Sequence, residues 1–538
     1  MRRTILLHNL RQQPDEEESV LFARAMRLLR EHRVLPADAV CTVWRRSVDA
    51  RRRGGGLHFV CSVAVSGEYP DSMDLSRFPV GSIAELREGN PVFSFGETPM
   101  MHRPVVVGSG PAGLFCSLLL AEQGYAPLLL ERGGDVDERV AALDRFCRTR
   151  RLDPETNVQF GAGGAGTFSD GKLVTRVNDP LGSYVLRRLT EFGAPPDICT
   201  RARPHIGTDL LRLVVRNMIG AIRAAGGEVL FHTRLTGIRR SGDRVTAACT
   251  TAGDIPCGAL VLAVGHSARD TYDFLLRDGY AIEAKPFSVG VRIEHLQADI
   301  DAAMYGEFAG HPALPHAEYN LSCNTDTRGV YTFCMCPGGQ VVAAASEEGG
   351  LVVNGMSNYA RDGRNANAAV AVSVFREDYG GTPREAIALQ RQIERAAFAA
   401  GGADYGVPLC TVGDFLQGRI GQEPTRILPT YMGGQAYRLA SPADYLPPFA
   451  VQGLREGIAA FGRRLRGFDA PDALLCGPET RTSAPVRILR DDRRRALGVS
   501  NLYPCGEGAG YAGGITSAAL DGIHTALALM ACYRPFNG

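Results

Sequence analysis

The chain predicts an α/β fold in which a parallel sheet flanked by helices is interrupted by a mixed α+β insertion and preceded by a small α/β unit. Three observations carry this. The apolar run 105–107, the turn glycines Gly108, Gly110 and Gly113, and a helical stretch at 114–123 form a strand–turn–helix unit, which a second strand at 127–130 and Glu131 complete. Two more glycine-rich turns lie far along the chain, at 161–166 and 506–514. Between 276 and 474, strand-like and helix-like stretches alternate without any such unit. These divisions give a discontinuous Rossmann-like domain, 101–275 and 475–538, around an inserted substrate domain at 276–474, with a small N-terminal domain at 1–100.

Composition sets outer bounds. At 538 residues, 45% hydrophobic and with 63 Gly, the chain fits a large α/β protein of about two to four domains. A formal net charge of +1 exerts no overall pull on nucleic acid or an anionic membrane, so a local patch must supply any such partner. Arg11 follows the opening apolar stretch too soon for a signal peptide, and no apolar run reaches the length of a membrane span. The chain therefore reads as cytoplasmic. Its 14 Cys form no CxxC pair, which argues against a zinc or iron–sulfur site, and no metal is expected. Among 59 basic residues only Lys172 and Lys285 are lysines.

In the N-terminal domain, residues 4–7 read as a strand, and Asp15 with Glu18 as a capping box. The helix behind it aligns Leu21, Ala25, Leu28 and Leu29. Residues 40–48 and 57–65 read as a hairpin across Gly54, Gly55 and Gly56. Its first arm carries Arg45, Arg46, Arg51, Arg52 and Arg53, either a solvated hairpin end or a phosphate-binding patch. No aromatic residues interleave, which favours the former.

The unit that opens at 103 divides its labour by residue type. Gly108 permits the tight turn, Gly110 admits backbone amides to a pyrophosphate, and Gly113 lets the helix pack on its strand, with Pro111 and Ala112 in the first helical turn. Glu131, ending the second strand, can accept hydrogen bonds from an adenosine ribose. A long helix at 209–225 and strands at 229–238, 245–250 and 259–264 follow. The last strand ends at Gly265, which returns the chain to the ligand.

Gly161, Gly163 and Gly166 also satisfy GxGxxG, but a polar stretch follows instead of a helix and no acid closes a second strand. This stretch reads as a loop along a bound cofactor, with Gly163, Gly164 and Gly166 bringing backbone close and Thr167 and Ser169 donating hydrogen bonds. At the C-terminus, Gly506, Gly508, Gly510, Gly513 and Gly514 precede Ile515 and a long apolar helix whose positive end favours negative charge. A reduced flavin carries such charge where a nicotinamide does not, so the turn points to FAD, with Glu507 on a ribityl hydroxyl. No second strand–turn–helix unit serves NAD(P)H, which is left the role of a transient electron donor or acceptor. Inside the insertion, strands are expected at 287–293, 330–336 and 341–345 and helices at 384–400 and 450–466. A strand at 486–489 then leads back.

GxGxxG, seventeen residues and then Glu131-Arg132, with the Gly265 strand and the Gly506-Glu507 turn, resembles the glutathione-reductase-type FAD superfamily. More closely, the chain resembles the bacterial NAD(P)/FAD-dependent dehydrogenase family. The motifs are RRSVDARRR, NVQFGAGGAGTFSDGKL, KPFSVGVRIEH, YTFCMCPGG, NGMSNYARDGRNANAAVAV, ETRTSAPVRI and YPCGEGAGYAGGITSAALDG, which run nearly end to end. The resemblance implies non-covalent FAD, a discontinuous cofactor domain with Arg132 and Gly265 at its ligand edge, and an inserted substrate domain. Glu507 departs from the superfamily's usual Asp.

The cofactor would carry the chemistry and the protein would supply position, protons and charge. Lys172, on the loop beside the flavin ring, is the first catalytic candidate, as a fixed charge or a proton donor. Arg481 is a carboxylate anchor for substrate, and Tyr511 an acid/base candidate. Arg292, Glu294, His295, Glu479 and, as the alternative to its anchor role, Arg481 read as structural salt-bridge partners. Cys334 and Cys336 alternate onto one strand face as buried thiols, a redox pair being the alternative. The expected activity is an FAD-dependent oxidoreductase that moves a hydride between flavin and a small-molecule substrate, with an electron-transfer partner in reserve. An RNA-modifying or RNA-bound flavoprotein, and a flavin electron carrier without its own substrate, are the alternatives.

Overall fold

The computed structural model describes residues 2–51, 56–70, 75, 78–86 and 89–536. Arg52, Arg53, Gly54 and Gly55 of the expected hairpin tip lie outside them. The N-terminal domain is a four-stranded antiparallel sheet of β1 (Arg2–Gln12), β2 (Val40–Asp49), β3 (His58–Glu68) and β4 (Ile83–Glu85), in the order β2-β3-β1-β4. Helix α1 (Glu18–Glu31) lays Leu21, Ala25 and Leu29 on it. The expected capping box is not formed: Glu17 is the N-cap and no side chain bonds the first turn. Tertiary contacts take the two acids instead, Asp15 in a hydrogen bond with His311 at 2.9 Å and Glu18 in an ion pair with Arg46 at 2.6 Å.

The next sheet is parallel throughout. Strand β5 (Val105–Val107) lies between β6 (Leu128–Leu130) and Leu260–Leu262, with Glu228–Leu230 and Leu502–Pro504 at the two edges. The chain winds outward from β5 to one side and later returns to its other side, so the strand order reverses beside β5. In an open α/β sheet that reversal places a ligand crevice at the carboxyl ends of the strands. Helix α2 (Pro111–Glu122) is buried at ten consecutive residues, Ala112 to Ala121, because it lies between the sheet and the last helix, Ile515–Met530. Gly522 permits that approach, since a Cβ there would sit 2.2 Å from the Ala112 carbonyl oxygen.

The run 229–238 is not one strand. Glu228–Leu230 joins the parallel sheet, His232 turns the chain with a φ of 54°, and Leu235–Ser241 starts a separate antiparallel sheet with Arg244–Thr250 and Gly253–Pro256. The middle of the chain builds a seven-stranded mixed sheet. Phe287–Leu296, Asn365–Val374, Gly329–Cys336 and Leu474–Glu479 form its centre, and Pro383–Ala400 and Pro448–Gly462 pack against it. Its strand Leu474–Glu479 runs across the expected division at 474. A short ladder of Ile282–Ala284 with Val486–Ile488 joins this sheet's ends to the parallel one. The α/β class and its mixed insertion are thus what the chain adopts.

Candidate functional site

The three glycine turns, far apart in sequence, meet at the carboxyl ends of β5 and Leu260–Leu262. The Gly163 amide donates to the Ser109 carbonyl at 3.0 Å. A Cβ on Gly164, whose φ is 65°, would lie 2.9 Å from the Gly110 Cα, and one on Gly166 would lie 3.1 Å from the Ile515 side chain. Gly506 packs on Ala112 in the same way, its Cβ position 2.7 Å from the Ala112 methyl. Tyr272 ties a fourth segment in, its hydroxyl donating to the Gly508 carbonyl at 2.7 Å. Where these segments converge, room is left: a Cβ on Gly265, Gly513 or Gly514 meets nothing within 4 Å, and one on Gly110 only grazes Gly164 at 4.0 Å. Both α2 and the last helix begin there with no side-chain cap. An amide-lined hollow with two uncapped helix starts fits an extended, anionic dinucleotide.

Several expected ligand contacts are engaged within the protein. The Glu131 carboxylate accepts from the Ser109 amide and hydroxyl at 3.0 and 2.6 Å and from the Gly133 and Gly161 amides at 3.0 and 2.9 Å. Four donors fill its usual acceptor capacity, so it clamps the glycine turns together, and a ribose hydroxyl must share those positions. Arg132 stacks over Phe160 at 4.0 Å and pairs with Glu155 and Asp270. The Thr167 hydroxyl, 2% exposed, bonds the Ala162 carbonyl, and Ser169 donates its proton to the Gly166 carbonyl at 2.6 Å. Each hydroxyl has one proton, so the expectation that both donate to a cofactor is corrected. Glu507 is half-buried in the hollow. Burial pushes its carboxyl up to about 7, against the attraction of Lys285, whose own pKa burial lowers.

The catalytic candidates separate. Lys172 is no surface lysine: its Nζ lies 2.6 Å from Glu318 and 3.1 Å from Asp170, and Asp170 is held by Arg361 at 2.9 and 2.5 Å and by the Ser357 hydroxyl. Burial favours the neutral amine, yet the two carboxylates outweigh it and raise the pKa of Lys172. It is a fixed cation. Arg481 is not free to anchor a substrate, because Glu394 takes its Nε and Nη2 at 3.1 and 2.9 Å and Ser346 takes Nη1 at 2.5 Å. Glu394 also binds Arg269 at 2.7 and 2.8 Å, so one buried carboxylate holds two guanidinium groups. Tyr511 donates to the Ile488 carbonyl at 3.1 Å and lies under Arg490 at 3.6 Å, which removes it as an acid or base. Arg292 pairs with Glu479 at 2.8 and 3.2 Å in full burial, Glu294 accepts from Thr430 and Asn365, and His295 bonds the Phe468 carbonyl. Arg292 and Glu479 are thus the salt-bridge partners the sequence suggested, whereas Glu294 and His295 make hydrogen bonds to neutral groups instead.

Sequence reasoning missed Asp170, Glu318, Arg361 and His205. Asp170 lies two residues before Lys172 and Arg361 lies within the NYARDGR motif, both visible signals; Glu318 offers none. A cleft of about 1850 Å³ opens between β2, the 200–205 segment and the 301–321 segment, and His205, Glu318 and Arg361 form part of its wall. Of the basic arm's described members, Arg45 and Arg46 dock on the 200–202 segment and Arg51 stays within the hairpin. Arg46 exchanges backbone hydrogen bonds with Thr200 and Ala202, Arg45 donates to the Ala202 carbonyl, and Arg51 pairs with Asp49. A second cavity, of about 550 Å³, lies beyond Glu131 and is lined by Arg132, Phe160, Ser267 and Asp270 among others. Among the described residues no cluster of His, Cys, Asp or Glu is arranged to hold a metal, and no helix is long and apolar enough to cross a membrane.

The fold defines an α/β protein with a parallel Rossmann-like sheet and a second, mixed sheet. Residues 286–482, which hold that inserted sheet, match the family described as FAD-dependent protein, C-terminal domain-like. An uncharacterized protein of Clostridium beijerinckii is 46% identical over 488 residues, covering 90% of each chain. The chain belongs to one family with that protein. Among solved structures, the flavin-dependent brominase Bmp2 is 12% identical with a TM-score of 0.39, over 80% of this chain and 79% of its own. Glycine oxidase from Bacillus cereus is 10% identical with a TM-score of 0.34, over 80% and 98%.

Proposed function

We propose that the protein binds FAD without a covalent link and is an oxidoreductase that moves a hydride between the flavin and a small organic substrate. One observation carries the reading: where the three glycine turns converge at the strand ends, a Cβ on Gly265, Gly513 or Gly514 meets nothing within 4 Å and one on Gly110 only Gly164 at 4.0 Å, so backbone there is open to a ligand. Bound FAD would supply two-electron hydride chemistry at its ring.

The protein's own groups then have these duties. The start of α2 sets Gly110, Pro111, Ala112 and Gly113 against the pyrophosphate, and Glu131 fixes the turns around the ribose end. Gly163, Gly164 and Gly166 close the hollow from the side, and the Gly513–Ile515 helix start favours negative charge on the reduced ring. Glu507, titrating near neutrality, is suited to hold a proton beside the ribityl chain. Lys172 keeps a positive charge on the side where the large cleft admits substrate, with Asp170 and Arg361 fixing its position. NAD(P)H is the expected electron donor or acceptor, visiting through that cleft.

The test is reconstitution of purified full-length protein with FAD, followed by anaerobic titration with NADH, NADPH and a metabolite panel. The expected result is a bound flavin spectrum, released on denaturation, that bleaches with at least one reductant. A colourless protein after reconstitution overturns the reading, and a flavin that no small molecule bleaches leaves only the electron carrier.

A further inference from the structure

Residues 333–336 break the strand they belong to. Phe333 pairs with Ala369 and Cys336 with Asn367, so one residue too many lies between them on the Gly329–Cys336 side. Cys334 takes up the excess with a φ of 44°, the left-handed region that a residue with a Cβ rarely occupies. Bulges of this kind re-aim side chains and gather next to active sites. Here the bulge leaves Cys334 partly exposed while Met335 and Cys336 stay buried.

The re-aiming sets the Cys336 thiol against the Cys334 backbone, 3.3 Å from its carbonyl oxygen. The buried Arg292 guanidinium braces the pair, with Nη1 3.3 Å from the Cys334 carbonyl and 3.9 Å from the Cys336 sulfur. Lys172 adds a second positive charge and Asp170 an opposing negative one.

We propose that Cys334 and Cys336 form an oxidisable thiol pair in which Cys334 attacks a small hydroperoxide and Cys336 closes the disulfide. The Cys334 thiolate sulfur bonds one peroxide oxygen, the O–O bond breaks, and the departing hydroxide or alkoxide takes a proton from solvent. Cys334 is then a sulfenic acid. The Cys336 sulfur attacks it, the S–S bond forms, and the hydroxyl leaves with the Cys336 proton as water. In sum, two thiols and one hydroperoxide give a disulfide, water and water or an alcohol, a two-electron oxidation of the pair.

The surroundings assign the two roles. The hydrogen bond from Cys336 opposes the effect of burial and, with Arg292 and Lys172, holds the Cys334 thiol down at about 7, whereas Cys336 is raised well above the ordinary range. The partly exposed member is thus the attacking thiolate and the buried one keeps its proton until the second step. The same two cations face the charge that develops on the departing oxygen.

The test uses full-length protein with and without FAD, and flavin absorbance is read separately, so loss of the flavin reading leaves this one standing. After one equivalent of hydrogen peroxide, peptide mapping is expected to show the loss of two hydrogens within the peptide that spans Cys334 and Cys336. C336S is expected to stop at a sulfenic acid that dimedone traps on residue 334, and C334S to leave the peptide unoxidised. Independently of any variant, iodoacetamide at pH 7 should alkylate Cys334 roughly tenfold faster than Cys147, which is more exposed but whose thiol burial raises. A Cys334 alkylated no faster than Cys147, or a mass loss that maps to other cysteines, overturns the proposal.

Discussion

Glu394 shows how much a single side chain carries here. It is 1% exposed and its carboxylate is the shared counter-ion of Arg269 and Arg481, which are themselves buried. Removing one member of such a group strands the others without water or partner. Glu394→Ala is therefore expected to cost about 3–5 kcal/mol in denaturant unfolding, and a loss below 1 kcal/mol would mean that water reaches the two guanidinium groups. Glu507 makes a second, pH-dependent case. Its carboxyl titrates near 7 in the folded protein against an ordinary value of 4.5, so the native state binds more protons than the unfolded chain in that interval. Its contribution to stability therefore falls as pH rises from 4.5 to 7 and is constant beyond. Comparing wild type with Glu507→Gln at pH 5 and pH 8 isolates the effect. The wild type should lose more melting temperature than the variant across that step, and equal losses would remove Glu507 from the hollow.

Glycines in one turn serve opposite purposes at the level of elements, and the difference is measurable. A Cβ on Gly113 would lie 1.8 Å from the Gly108 carbonyl oxygen, a backbone atom that cannot move aside without separating α2 from β5. Gly113→Ala should cost the cofactor-free protein roughly 1–3 kcal/mol. Gly110→Ala puts its methyl into the open hollow, so the cofactor-free melting temperature should hold while FAD affinity falls. The reverse pattern would mean that the hollow is not the pyrophosphate seat. The contrast also explains what was legible beforehand. Strand, turn, helix and terminal Glu131 are local signals with fixed spacing, and the helix that fails to follow Gly166 was readable from its polar residues. The partners were not. Lys172 meets Glu318 across 146 residues and Asp170 meets Arg361 across 191, and no local pattern encodes such pairings. Arg481 and Tyr511 failed as reactive groups for the same reason, since Glu394 and the Ile488 carbonyl are neighbours only in the fold. The bulge at Cys334 escaped because strict alternation was assumed where one extra residue had been inserted.

For the whole molecule, the hollow is assembled from four stretches that lie far apart in the sequence: the first glycine turn with Glu131, the 161–171 loop, the turn at Gly265, and the 506–516 segment. Each arrives from a different part of the chain, and the inserted sheet lies between the third and the fourth. A ligand that touches all four at once stabilises their mutual arrangement by mass action, about 2.7 kcal/mol at a hundred times its dissociation constant. FAD is therefore expected to raise the melting temperature in a concentration-dependent way, and its protection against hydrogen exchange should be distributed. Amides at 108–114, 161–171, 265–267 and 506–516 should slow together. The sheet of β1 to β4, which meets the rest through Arg46 and the 200–202 segment, should exchange as before. Protection confined to the first glycine turn would show that only the adenosine end is engaged. Equal protection across β1 to β4 would show that the N-terminal domain closes over the cofactor, and the large cleft would then belong to the cofactor's closure as well as to the substrate's path.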